Sequence, residues 1–145
     1  MREIKFRAWD SNIKLFGAVI ELSYSPNLNE EYVPSYVRVH DYKDVTNVVH
    51  YSDPVSIQEN LLIEQFTGLH DVNGRDIYEG DIVETIPMAP GDDKITDLVN
   101  IGIVKFIEDG YWIENFNWAI GIFKETIRLK VIGNVHENPE LLEGK

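Results

Sequence analysis

Eighteen residues in the middle of the chain leave the backbone few choices: Phe66-Thr67-Gly68-Leu69-His70-Asp71-Val72-Asn73-Gly74-Arg75-Asp76-Ile77-Tyr78-Glu79-Gly80-Asp81-Ile82-Val83. Two apolar, strand-like runs flank a turn dipeptide, and three glycines and four acidic residues are packed between them. Asn73-Gly74 is the strongest short-range hairpin signal, because both central residues of a type I′ turn need positive φ. Gly80-Asp81 punctuates again before Ile82-Val83-Glu84-Thr85-Ile86, a strand that Pro87 ends. A chain with this centre is committed to β-structure on both sides of it.

Short strands continue in both directions. Ile4, Phe6 and Ala8 alternate with Lys5, Arg7 and Trp9, a period of two that predicts a strand with one apolar face. Asp10-Ser11-Asn12 supplies turn residues, and Ile13 to Leu22 reads as the second arm of a hairpin. Trp9 then lies opposite the apolar set and needs a cover, from the proline-broken excursion at 23–55 or from a second subunit. That excursion reads as irregular, with one or two short strands. Ser56-Ile57-Gln58-Glu59 fits a capping box and predicts a short helical turn, followed by a strand over 62–67. Beyond the central stretch, Met88 to Asp97 reads as a polar loop. Strands follow at 99–107, 111–116, 118–123 and 127–135, and Pro139 opens a terminal helical turn. The fold class is therefore mainly β. It comprises an N-terminal β-hairpin lobe over 1–70, packed on a small SH3-like half-open β-barrel over 71–136, and a tail over 137–145, all as one domain.

Charge is the compositional fact that excludes most. The 145 residues carry a formal net charge of −12, so direct nucleic-acid binding, which needs a basic surface, is not expected. Half of that charge lies between Asp71 and Asp97, where eight acidic residues face Arg75 and Lys94. Asp76, Glu79, Asp81, Glu84, Asp92, Asp93 and Asp97 are thus a candidate acidic docking surface for a basic partner. No apolar run has the length of a membrane span, and the N-terminus lacks the continuous apolar core of a signal peptide. With no cysteine, disulfides, thiolate metal sites and cysteine nucleophiles are excluded. A cytoplasmic protein is expected.

The order of several motifs resembles the YopX family of phage and prophage proteins from Gram-positive bacteria. The residues that carry the resemblance are Ile4-Lys5-Phe6-Arg7-Ala8-Trp9-Asp10, Gln65-Phe66-Thr67-Gly68-Leu69 with Asp71 and Asn73-Gly74, Ile77-Tyr78-Glu79-Gly80-Asp81-Ile82-Val83, and Val131-Ile132-Gly133-Asn134-Val135-His136-Glu137-Asn138-Pro139-Glu140-Leu141-Leu142. The resemblance implies a phage-associated, soluble, oligomeric protein in the cytoplasm of a bacterial host, and it brings no catalytic residues with it. Its partners would be further copies of itself and a phage or host protein.

The acids of the central stretch still need weighing for chemistry. Counted from Asp71 as an EF-hand loop, glycine falls at the fourth position, arginine at the fifth and Ile82 at the twelfth, so the calcium pattern fails. Asp71, Asp76, Glu79 and Asp81 are weak candidates for a magnesium or manganese cluster, because Asp76 and Asp81 would point to opposite faces of a continuous strand. His40, His50, His70 and His136 are dispersed without zinc spacings. No nucleophile elbow, P-loop or dinucleotide fingerprint is present, so neither a cofactor nor enzymatic activity is expected. Two alternatives to an accessory protein acting by binding and self-association are an acidic DNA mimic, on the strength of the charge, and a metal-dependent hydrolase built on those four carboxylates.

Overall fold

The computed structural model describes residues 3–26, 32–42, 46–87, 101–116, 118–123 and 127–143. Asp92, Asp93 and Asp97, with the whole Met88 to Asp97 loop, lie outside the described residues. The chain divides into two compact units, Ile4–Gln65 and Phe66–Lys145 with Met1–Glu3.

In the Ile4–Gln65 unit, β1 (Phe6–Asp10) and β2 (Leu15–Pro26) form the predicted opening hairpin. Asp10 builds its turn: Oδ1 accepts the amides of Asn12 at 2.8 Å and Ile13 at 3.2 Å, and the main-chain oxygen accepts Lys14 N. The hydroxyl of Tyr51 donates to Asp10 Oδ2, and burial together with that acidic neighbour pushes the phenol up to about 12. The excursion is more regular than its prolines imply. β3 (Tyr32–Asp41) is a ten-residue strand paired along β2, and β4 (Val48–Tyr51) pairs with β3. The β2–β3 ladder absorbs its irregularity as two shifts of register. Val37 and Val39 of β3 are core residues, so the short alternation Tyr36-Val37-Arg38-Val39-His40 outweighs the prolines around it.

Helix α1 (Pro54–Asn60) starts three residues before the position the capping box predicts. Asp53 is the cap, accepting Val55 N at 3.1 Å and the Ser56 hydroxyl at 2.7 Å, and Pro54 fills the first helical position, where no amide is needed. Ser56 therefore serves the cap rather than being it. The helix buries Ile57 against Ala8, Val37, Val39 and Leu61, a contribution of about 2 kcal/mol. Strand β5 (Leu61–His70) follows, and its first half pairs with β1.

The other face of β1 is not solvated. Arg7 and Trp9 are both buried, so the reading of β1 as a strand with one apolar face is corrected, and the cover expected for Trp9 from the 23–55 excursion or a second subunit is supplied from β2. Trp9 is covered within the chain by Phe16, its cross-strand neighbour in β2, with ring centroids 4.7 Å apart. Arg7 lies directly across from Glu64 of β5. It donates from Nε at 2.8 Å to the buried carboxylate, while its guanidinium stacks 4.5 Å from the Phe16 ring.

In the second unit, the latter half of β5 pairs with β6 (Asp76–Tyr78). Strands β7 (Asp81–Pro87), β8 (Ile101–Ile107), β9 (Gly110–Glu114), β10 (Ala119–Gly121) and β11 (Ile127–Asn134) make one antiparallel sheet in the order β10-β9-β8-β7-β11. It is a four-strand meander whose fifth strand returns beside the first. The mainly β expectation holds, and the five strands fall where the small barrel was predicted. Among the described residues the sheet is open, with β10 and β11 as its ends.

Its core gathers Ile77, Val83, Val104, Tyr111, Ile113, Ile122 and the inward residues of β11. On β11, Ile127, Leu129 and Val131 are buried while Arg128 and Lys130 are exposed. An extra residue at Ile132 then shifts the register between Val131 and Gly133. Past the strand, Asn134 accepts the amides of His136 and Glu137 at 3.0 and 2.9 Å and donates to the Glu137 carboxylate. The predicted terminal turn is a single 3-10 turn, Pro139–Leu142. Among the described residues no helix is long and apolar enough to cross a membrane.

Candidate binding site

The central stretch folds around Asp71. Asp71 N donates to Arg75 O and Gly74 N to Asp71 O, closing the turn. One carboxylate oxygen accepts Asn73 N at 2.8 Å and Arg75 N at 2.9 Å, and the other accepts Val131 N at 3.0 Å. Burial pushes this carboxyl up, but the amides of Val131, Arg75 and Asn73 and the Arg75 charge together hold it below the usual carboxylate range. Gly74 alone of the dipeptide has positive φ, at +79°, while Asn73 stays out of that region. The turn is thus not the predicted type I′. A three-residue loop ending in a left-handed glycine replaces it, because the Asp71 side chain supplies the acceptors that set its shape.

A second device sits one strand earlier. Three residues, Thr67, Gly68 and Leu69, oppose Ile77 between the pairs Phe66–Tyr78 and His70–Asp76. Gly68 takes φ +92° there, a conformation an L side chain rarely adopts. The Thr67 hydroxyl is fully buried, donates to Ile77 O at 2.8 Å and accepts Leu69 N at 3.2 Å, which closes the bulge.

The sequence-derived site residues separate on this frame. Asp81 is completely buried and accepts Tyr78 N at 2.9 Å, so it is removed from the candidate acidic surface: its carboxylate shapes the β6–β7 turn. Asp76 is partly buried and paired with His70 Nε2 at 3.0 Å, Glu79 is partly buried, and Glu84 is exposed. Asp71, Asp76, Glu79 and Asp81 do not converge. Among the described residues no group of three or more His, Asp or Glu is placed to hold a metal ion.

What the fold does assemble is a cleft of about 530 Å³, lined by Leu69, His70, Asp71 and Val72 on one side and by Ile122, Phe123, Ile127, Arg128 and Leu129 on the other. Its size is that of a small-ligand or side-chain pocket. Phe123 is 59% exposed and Val72 43%. Arg128 stands at the rim, and neither it nor Lys130 makes an ion pair among the described residues. The described lining residues include no Ser, Thr, Tyr, Lys or Cys. His70 is committed to Asp76, and Asp71 to main-chain amides. The arrangement is therefore suited to holding an apolar group beside an anion rather than to nucleophilic chemistry.

Sequence reasoning missed this cleft, since its walls come from segments about fifty residues apart. The available signal was faint: Arg128 and Lys130 alternate on one strand face of a chain that is otherwise strongly acidic.

A family model described as YopX protein matches residues 5–143. Two solved structures are similar along nearly the whole chain. Protein EF1440 from Enterococcus faecalis is 22% identical with a TM-score of 0.57, over 99% of this chain and 100% of that one. Protein yopX from Bacillus subtilis is 23% identical with a TM-score of 0.57, over the same shares. At such identity both likenesses speak for the fold alone. No curated protein matches the sequence.

Proposed function

The chain belongs to the YopX protein family, and from that premise we propose that it is a phage- or prophage-encoded accessory protein acting by protein binding and self-association, without a catalytic centre. It works in the cytoplasm of the bacterial host. The observation that carries this reading is the apolar cleft between Leu69–Val72 and Ile122–Leu129, with Phe123 and Val72 exposed at its mouth. Exposed apolar groups around a preformed cleft favour a protein partner. The polar groups of the central stretch support it from the other side. Thr67, Asp71 and Asp81 have side chains engaged with the main chain, and a reacting group needs freedom to meet a substrate.

The test is affinity capture from phage-infected cells with the whole protein as bait, compared with a Val72→Glu bait, alongside light scattering of both. A saturable partner, lost in the variant, and a species larger than a monomer are expected. A strict monomer that captures nothing saturable would sink the reading.

A further inference from the structure

We propose that the cleft is filled by a second copy of this chain, through the side chain of that copy's Phe116. The proposal rests on reading the cleft as a binding site used in self-association, and it names the residue that enters. Phe116 is 87% exposed, more than any other large apolar residue described. Phe106 is also exposed, but it lies against Tyr111 with ring centroids 5.1 Å apart. Phe116 has no such ring contact among the described residues. It stands at the tip of the β9–β10 hairpin, in a turn that Asn115 N closes on Trp118 O at 3.0 Å. The Asn115 side chain donates to Ile101 O and ties that turn to β8. The ring is thus presented to solvent by an anchored turn, a costly way to expose an apolar group unless something covers it.

The cleft suits such a group. Leu69, Ile122, Phe123, Ile127 and Leu129 give it apolar walls, and its volume of about 530 Å³ admits a phenyl ring. Phe123 adds an aromatic neighbour. A chain cannot fill its own cleft with this ring. Ile122 N donates to Tyr111 O at one end of the β9–β10 ladder, and the Phe116 turn closes the other end. From Trp118 to Ile122 the ladder runs about 13 Å, farther than a Phe side chain reaches. Ring and cleft must therefore meet between copies, as a reciprocal pair or head to tail. Each copy carries −12, so long-range repulsion opposes the encounter and short-range apolar burial has to carry it. Added salt should strengthen the contact, the reverse of an association built on opposite charges.

Sedimentation velocity on the intact protein, over a range of protein and sodium chloride concentrations, tests it. A concentration-dependent species larger than the monomer is expected, and more of it at higher salt. Phe116→Ser and Val72→Glu should each weaken association at least about tenfold, while the melting transition stays in place. Mixing the two variants should restore association and stop at a pair. The Phe116→Ser copy keeps an intact cleft, and the Val72→Glu copy keeps an intact ring. A monomeric wild type, association that weakens with salt, or a mixture that forms no pair overturns the proposal. If Phe116→Ser still associates while Val72→Glu does not, another segment fills the cleft: the Phe116 proposal is wrong and the cleft reading stands. If Val72→Glu keeps both its association and its captured partner, both are wrong.

Discussion

The Ile4–Gln65 unit and the unit from Phe66 onward each bury a carboxylate that builds a turn on main-chain amides, Asp10 in one and Asp71 in the other. The first unit also satisfies buried charge in a second way. In the first, Arg7 and Glu64 face each other across β1 and β5, one side chain answering another. In the second, the Asp71 carboxylate accepts three main-chain amides and Asp81 a fourth. A side-chain pair is self-contained: both members can be exchanged for apolar residues of similar size. A carboxylate bonded to amides is a piece of backbone construction, since no substitution changes its partners. The central stretch is chemically dense for that reason, with its acids spent on building turns.

The comparison can be broken most sharply at Arg7. Arg7→Met takes the guanidinium from a carboxylate in a dry site and should cost about 4 kcal/mol in urea denaturation, whereas Arg7→Met with Glu64→Leu should recover most of the loss. Failure of the double variant to recover would mean the pair is not self-contained. Asp71→Ala should cost about 3 kcal/mol through three charge-assisted hydrogen bonds, and no second side-chain replacement should restore it. Because the folded state depresses the Asp71 pKa, its stabilisation is present above the unfolded carboxylate value of about 4 and is lost as pH falls through the lower folded value. Asp71→Asn should flatten that acid limb in a pH series of melting temperatures. Thr67→Val keeps the shape of the bulge but removes one donor and one acceptor from a fully buried site, at about 2 kcal/mol. The smallest effect is at Gly74, where an added Cβ meets nothing within 4 Å. Gly74→Ala should cost about 1 kcal/mol, purely as backbone strain, and Gly74→Asn less.

Local patterns were legible in the sequence, and the distant partners that complete them were not. Ile127-Arg128-Leu129-Lys130-Val131 alternates in the chain and in the fold alike, and Pro139 opens its helical turn as composition predicts. Arg7 was misread because the residue that makes it a buried group, Glu64, lies 57 positions away. Asn73-Gly74 correctly announced a turn, but the turn's type is set by Asp71, whose other oxygen is claimed 60 positions later by Val131. The capping box at Ser56 competed with Asp53-Pro54, and the aspartate is the cap because its carboxylate accepts both Val55 N and the Ser56 hydroxyl ahead of a proline whose ring already fixes helical φ. Of the candidate site, the acids drew the eye and the cleft escaped notice. Apolar residues at 69, 72, 122 and 127 carry no mark of a shared cavity until the sheet brings them together.

The extra residue at Ile132 has a consequence for how chain length can vary. Before it, odd-numbered residues of β11 turn inward; after it, Asn134 does. The strand is two half-strands of opposite parity spliced at one point. Adding or deleting a residue anywhere from Ile127 to Val131 would turn the core set outward. At the splice itself, the same change would set the C-terminal turn on Asn134 out of step with the core. That turn is phase-locked to the sheet through a single surplus peptide unit.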